Sequence, residues 1–166
     1  HASLIVWGTV AEVKDGSQPL SVRLIGRWNL VSFEEGSGES TAYPLGRDAT
    51  GQIEYDAAGH MAVQIMKAHR PLFASGDQGV GTMDEMSAAL GGYVAYSGTY
   101  SVDETARVVT HSLTMSLFPN WVGTEQRRHV VCDGDQLTLT TPPMPFSRQT
   151  RVFRAVWRRV SGPRGA

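Results

Sequence analysis

Residues 108 to 132 read VVTHSLTMSLFPNWVGTEQRRHVVC. Apolar side chains recur at every second position on either side of a Phe-Pro-Asn-Trp turn, the pattern of two half-buried strands joined as a hairpin. On one face of the first strand His111 falls among Val109, Leu113 and Met115, and on one face of the second Arg128 falls with Gln126, Val130 and Cys132. If those apolar faces point inward, a histidine and an arginine point inward with them. A buried arginine cannot shed its charge, so Arg128 requires a carboxylate, carbonyls, water or a ligand anion.

Working outward, the same period-two alternation recurs about eight to ten times along the 166 residues. Strands are predicted at Arg23–Glu34, Gly51–Tyr55, His60–Lys67, Tyr93–Val102, Val108–Leu117, Thr124–Cys132, Gln136–Thr141 and Arg151–Val160, with an early one at Ser3–Val13. Between them DAAG (56–59), DET (103–105) and DGD (133–135) carry turn chemistry, and the proline-rich TPPMPF (141–146) reads as a loop at a strand end. One helix is expected near residues 82–90, where Thr82 and Glu85 form a capping box ahead of Met83, Met86 and Leu90 at helical spacing. Hairpins in sequence with a single helical interruption favour an all-β fold, an up-and-down antiparallel barrel, because closure removes the exposed edges of an open sheet. The predicted organisation is an N-terminal arm or barrel-closing strand at 1–22, a barrel at 23–160 and a flexible tail at 161–166.

Composition narrows the function. Forty-one per cent of residues are hydrophobic, enough for a core, and fifteen basic against sixteen acidic side chains give a formal charge of −1. That balance argues against nucleic-acid binding, and no apolar run approaches a membrane-spanning length. Cys132 is the single cysteine, so no intrachain disulfide can form, and a reducing, cytoplasmic setting is expected. There is no Gly-x-Ser-x-Gly elbow, phosphate-binding glycine loop or dinucleotide fingerprint. No cofactor is expected and no metal, since His60, His69, His111 and His129 show no ligand pair on one face.

On the first long strand, LIGRWNLVSFEE (24–35) contains Gly26-x-Trp28, and RVFRAVWRRV (151–160) supplies arginines able to cover that tryptophan. This pairing resembles the lipocalin and calycin signature. The runs YPLGRDATGQIEYDAAGHMAVQIMKAHRPLFASGD, YVAYSGTYSVDE, VTHSLTMSLFPNWVGTEQRRHV and DGDQLTLTTPP are similar to the bacterial and fungal lipocalin-like domain family. That resemblance spans roughly Leu24 to Val160. It implies a barrel with an internal cavity, one short helix, and small apolar ligands.

A barrel turns alternation into a map of its interior. Trp28, Leu30 and Ser32 are predicted to face inward, as are Trp157 and Arg159, as structural closure. Met61, Val63 and Ile65 form the expected core face of their strand. Tyr96, Gly98 and Tyr100 share a face, where the glycine either leaves room for a ligand or permits a bend in the barrel. The expected ligand contacts are Tyr55, Met61, Tyr96, Tyr100, Leu113, Met115, Trp121 and Val130, with Trp121 closing or plugging the barrel mouth. Two functions fit these residues. One is a barrel binding a small apolar metabolite whose polar or anionic group meets Arg128. The other is a cofactor-free isomerase, cyclase or hydratase-like enzyme of secondary metabolism, with His111 as acid–base and Arg128 stabilising an oxyanion. A filled barrel serving as an interaction scaffold is a third possibility, and a homodimer is compatible with each.

Overall fold

The computed structural model describes residues 18–36 and 40–161; the predicted strand at Ser3–Val13 and nearly all of the 161–166 tail lie outside them. Eight strands close into an antiparallel barrel: β1 (Gly26–Glu35), β2 (Thr50–Tyr55), β3 (His60–Met66), β4 (Tyr93–Asp103), β5 (Val108–Ser116), β6 (Glu125–Asp133), β7 (Gln136–Thr140) and β10 (Phe153–Arg159). Around the barrel the order is β1-β10-β7-β6-β5-β4-β3-β2. Apart from the closing β1–β10 pair, only the β7–β10 step skips chain neighbours, because a small hairpin, β8 (Met144–Phe146) with β9 (Gln149–Arg151), intervenes between β7 and β10. The proline-rich segment expected as a loop thus supplies one arm of a hairpin.

The two ends of the barrel differ. At one end the connections are the short turns 56–59, 104–107 and 134–135; at the other lie the long segments 67–92, 117–124 and 141–152 and the β1–β2 connection. The predicted helix is present as α2 (Met83–Gly91), within the 67–92 segment. Thr82 Oγ1 accepts from the Glu85 amide at 3.2 Å, and the Glu85 carboxylate accepts from the Thr82 amide at 2.7 Å and from the Ala74 amide at 2.7 Å. One glutamate therefore caps the helix and holds the preceding loop. No residue of α2 is buried, so capping rather than core packing accounts for its position. Among the described residues no helix is long and apolar enough to cross a membrane.

The short-turn end is packed shut. A five-residue helix, α1 (Leu20–Leu24), lies where Arg23–Ile25 had been expected to start the first strand, and buries Leu20 and Leu24. Leu24 carbonyl accepts from Trp28 Nε1 at 2.9 Å. The Arg159 guanidinium lies 4.0 Å above the Trp28 ring and donates to the carbonyls of Ile25 and Arg23 at 2.9 and 2.6 Å. Gly26, at φ +128°, is required here, since a Cβ would stand 3.1 Å from that guanidinium in a backbone region closed to other residues. The Gly-x-Trp and the distant arginine are thus one unit: a buried indole satisfied by a carbonyl and covered by a cation.

Two β-bulges shift the inward and outward alternation. In β1 the register against β10 slips between Leu30 and Ser32, which turns Ser32 outward, against expectation. Its hydroxyl donates to Glu34 at 2.7 Å, and Glu34 in turn pairs with Arg154, whose Nε lies 2.9 Å away. Between β4 and β5 the slip falls at Ser97/Gly98. A Cβ on Gly98 would meet Ser112 oxygen at 1.9 Å, so this glycine allows the close approach of a bulge and leaves no space for a ligand.

Candidate functional site

The open half of the barrel holds a cavity of about 480 Å³, within the range of small-molecule sites. Its walls are apolar side chains that alternation directs inward: Ile53, Val63 and Ile65 from β2 and β3, Leu139 from β7, Ala155 and Trp157 from β10, and Phe33 from β1 beyond its bulge. The mouth is made by the long connections. Pro44 and Leu45, Leu90 at the end of α2, Leu117, Phe118 and Trp121 from the β5–β6 connection, and Met144 to Ser147 from the small hairpin surround it. Phe33 stacks on Phe153 at 5.6 Å, and Phe146 meets the same Phe153 ring edge-on at 5.1 Å, fixing the hairpin against the wall.

Trp121 sits on a 3₁₀ turn (Pro119–Trp121), its ring edge-on to Tyr96 at 5.8 Å and to Phe118 at 5.6 Å. It forms part of the mouth and leaves the cavity beneath it open.

Arg128 reaches this cavity from β6, paired in register with Val109. Its side chain donates to the Arg127 carbonyl at 2.8 Å and to Gln126 Oε1 at 3.4 Å. It takes part in none of the ion pairs among the described residues, although the residue is only 8% exposed. An arginine in that position, bounded by apolar walls, is a cation awaiting an acceptor.

His111 lies deeper. It is fully enclosed, with Nε2 2.7 Å from the Tyr55 hydroxyl and Nδ1 3.4 Å from the Tyr96 hydroxyl. Burial first, and the nearby Arg128 charge second, lower its pKa from 6.5 to about 3, so the ring is neutral at ordinary pH. Burial likewise pushes the Tyr55 phenol well above its usual value, so it stays protonated. Of this trio only Tyr96 lines the cavity. The histidine and Tyr55 form the layer beneath its floor.

Of the residues expected to touch a ligand, Tyr96, Trp121 and Arg128 line the cavity. Tyr55, Met61 and Val130 face inward but are packed into the closed half, Leu113 is buried against the 117–124 connection, and none of the four lines the cavity. Tyr100 is also at that end, with its hydroxyl donating to Asp56 carbonyl at 2.8 Å and its ring edge-on to Tyr55. Met115 is 66% exposed: the bulge beside Gly98 inserts Thr114 without a partner and turns Met115 to the outer surface. The wall residues Phe33, Ile53, Leu139 and Ala155 were missed. The inward parity of Ile53, Leu139 and Ala155 was visible in sequence, but depth along the barrel axis follows from strand tilt and stagger, which alternation does not carry; Phe33 counts as outward by parity and is turned in only by the β1 bulge.

Among the described residues no three His, Cys, Asp or Glu side chains are grouped to hold a metal.

Comparison with known proteins agrees with this architecture. The chain is 35% identical over 107 residues to the 4'-hydroxy-3'-methoxypropiophenone carrier protein ppsC of Aspergillus oryzae, an alignment covering 60% of this chain and 96% of the relative. A family model described as a lipocalin-like domain matches residues 25–160, from the residue before Gly26 to the one after Arg159. With the eight-stranded barrel closed over Trp28, that match makes this chain a member of the lipocalin-like domain family.

Proposed function

We propose that this protein binds a small, largely apolar organic molecule in the barrel cavity, with the molecule's polar or anionic group against Arg128. The observation that carries the reading is the buried guanidinium facing an apolar cavity without a carboxylate partner among the described residues. A relative named as the carrier of an aromatic ketone supports the ligand class: a flat ring for the apolar walls and an oxygen for the cation. The hydrolytic and phosphoryl-transfer signatures missing from the sequence leave binding as the simplest use of such a site.

Acid–base catalysis by His111 would need an imidazole nitrogen open to a substrate. Both nitrogens are engaged by tyrosines, and the ring takes a proton only near pH 3. We therefore read His111 as structural, part of the layer beneath the floor.

The test is a titration of the purified protein with 4'-hydroxy-3'-methoxypropiophenone and simpler aryl ketones, followed by tryptophan fluorescence, since Trp121 and Trp157 line the cavity. Saturable one-site quenching, weakened about tenfold or more by Arg128→Met, is the expected result. Absence of saturation across the panel would overturn the proposal.

A further inference from the structure

The cavity floor has a polarity that follows from hydrogen-bond accounting. The Tyr55 hydroxyl is buried at 1% exposure, and its hydrogen-bond partner is His111 Nε2. A phenol hydrogen buried without an acceptor is costly, so Tyr55 donates and Nε2 is the bare nitrogen. A neutral imidazole carries one N–H, which then sits on Nδ1 and points to the Tyr96 oxygen at 3.4 Å. Tyr96 thus accepts from His111, and its own hydrogen has no acceptor among the described residues, while Tyr96 lines the cavity. Arg128, which lines the same cavity, has five N–H groups and no acceptor atom, and protein oxygens take two of them.

Resting on the binding reading above, we infer that the floor presents donors and takes a carbonyl oxygen of the ligand first, with Tyr96 held as a donor by the directed chain Tyr55–His111–Tyr96. Two donors from different strands, β4 and β6, converge on one acceptor. A cationic ligand end, such as an ammonium, is repelled by the Arg128 charge and rejected; an apolar end leaves Arg128 without a ligand acceptor and binds less tightly. His111 is a positioning residue in this arrangement: it touches no ligand and sets which way Tyr96 points its hydrogen.

The experiment compares propiophenone with its methylidene isostere, in which =CH2 replaces the ketone oxygen, by isothermal titration. Wild-type protein should prefer the ketone by about tenfold or more. In Tyr96→Phe the ratio of the two affinities should shrink by about threefold or more, a ratio unaffected by any general loosening of the site. Equal affinity of the two probes for wild-type protein would overturn the donor floor while leaving cavity binding intact. Binding of neither probe would remove the cavity reading itself. A ratio unchanged by Tyr96→Phe would remove Tyr96 from the role. Independently of any ligand, long-range proton–nitrogen NMR correlations of wild-type protein should place the His111 proton on Nδ1; a proton on Nε2 would overturn the directed chain.

Discussion

The hydroxyl of Tyr55 lies 2.7 Å from Nε2 of His111, and neither side chain is open to solvent. Contributed by β2 and β5, which are not neighbours in the sheet, the pair crosses the barrel interior and divides its packed end from its hollow one. The sequence marks His111 as chemically interesting because a polar ring stands on an apolar face. The fold answers the question with two phenols.

This pairing gives stability a pH dependence. In the unfolded chain the imidazole titrates near 6.5 and takes a proton below that pH, whereas in the fold it stays neutral to about 3. Between those values the unfolded state binds more protons, so stability falls as pH falls from 6.5, on the order of 1 kcal/mol per pH unit, and His111 adds no slope above that range. Urea unfolding between pH 6.5 and 5, above the range where carboxylates titrate, should show this loss. His111→Gln should be less stable at neutral pH yet flatter across the same interval; an unaltered slope would assign the effect elsewhere.

Arg128 should show opposite effects on stability and binding. Arg128→Met replaces an unpaired buried cation with an apolar side chain of similar length, so the ligand-free variant is expected to be equally stable or more stable by about 1 kcal/mol. Affinity for an aryl ketone should fall at the same time. Thermal unfolding of the ligand-free proteins checks the first half; a marked destabilisation would mean that the guanidinium is satisfied by the protein itself.

Ala155 lies on the cavity wall between Leu139 and Phe33 in register. Ala155→Phe should occupy the hollow and reduce ligand binding by about tenfold or more, with the far-ultraviolet circular dichroism of the barrel retained. Undiminished binding in a folded variant would place the ligand outside the barrel.

At the closed end, Trp28→Ala should cost about 3 to 5 kcal/mol. Arg159→Met should cost about 1 to 3 kcal/mol, because two part-buried carbonyls lose their donor and the indole its cation. Chemical denaturation measures both. Ligand affinity of folded Arg159→Met should match wild type, as its place is at the opposite end from the mouth.

Period-two alternation was sufficient to locate the barrel strands, since a side chain's face repeats every second residue whatever lies across from it. The capping box was legible for a similar reason, since it depends on a threonine and a glutamate three apart, whereas the closure over Trp28 by an arginine of the last strand was legible through its resemblance to the lipocalin signature. Parity failed after the two bulges. Ser32 and Met115 were assigned inward by counting, and a single extra residue in each strand turned them out.

By itself, then, the sequence determined an all-β barrel, its closed end, and the presence of a histidine and an arginine on inward faces. Tertiary structure alone decided that His111 is locked beneath the floor while Arg128 stands at the cavity, and that Tyr96 reaches the hollow while Tyr55 and Tyr100 do not. The physical reason is stagger: strands tilted around a barrel bring residues distant in the chain to one depth, and neither depth nor hydrogen-bond partners are encoded in a strand's own period.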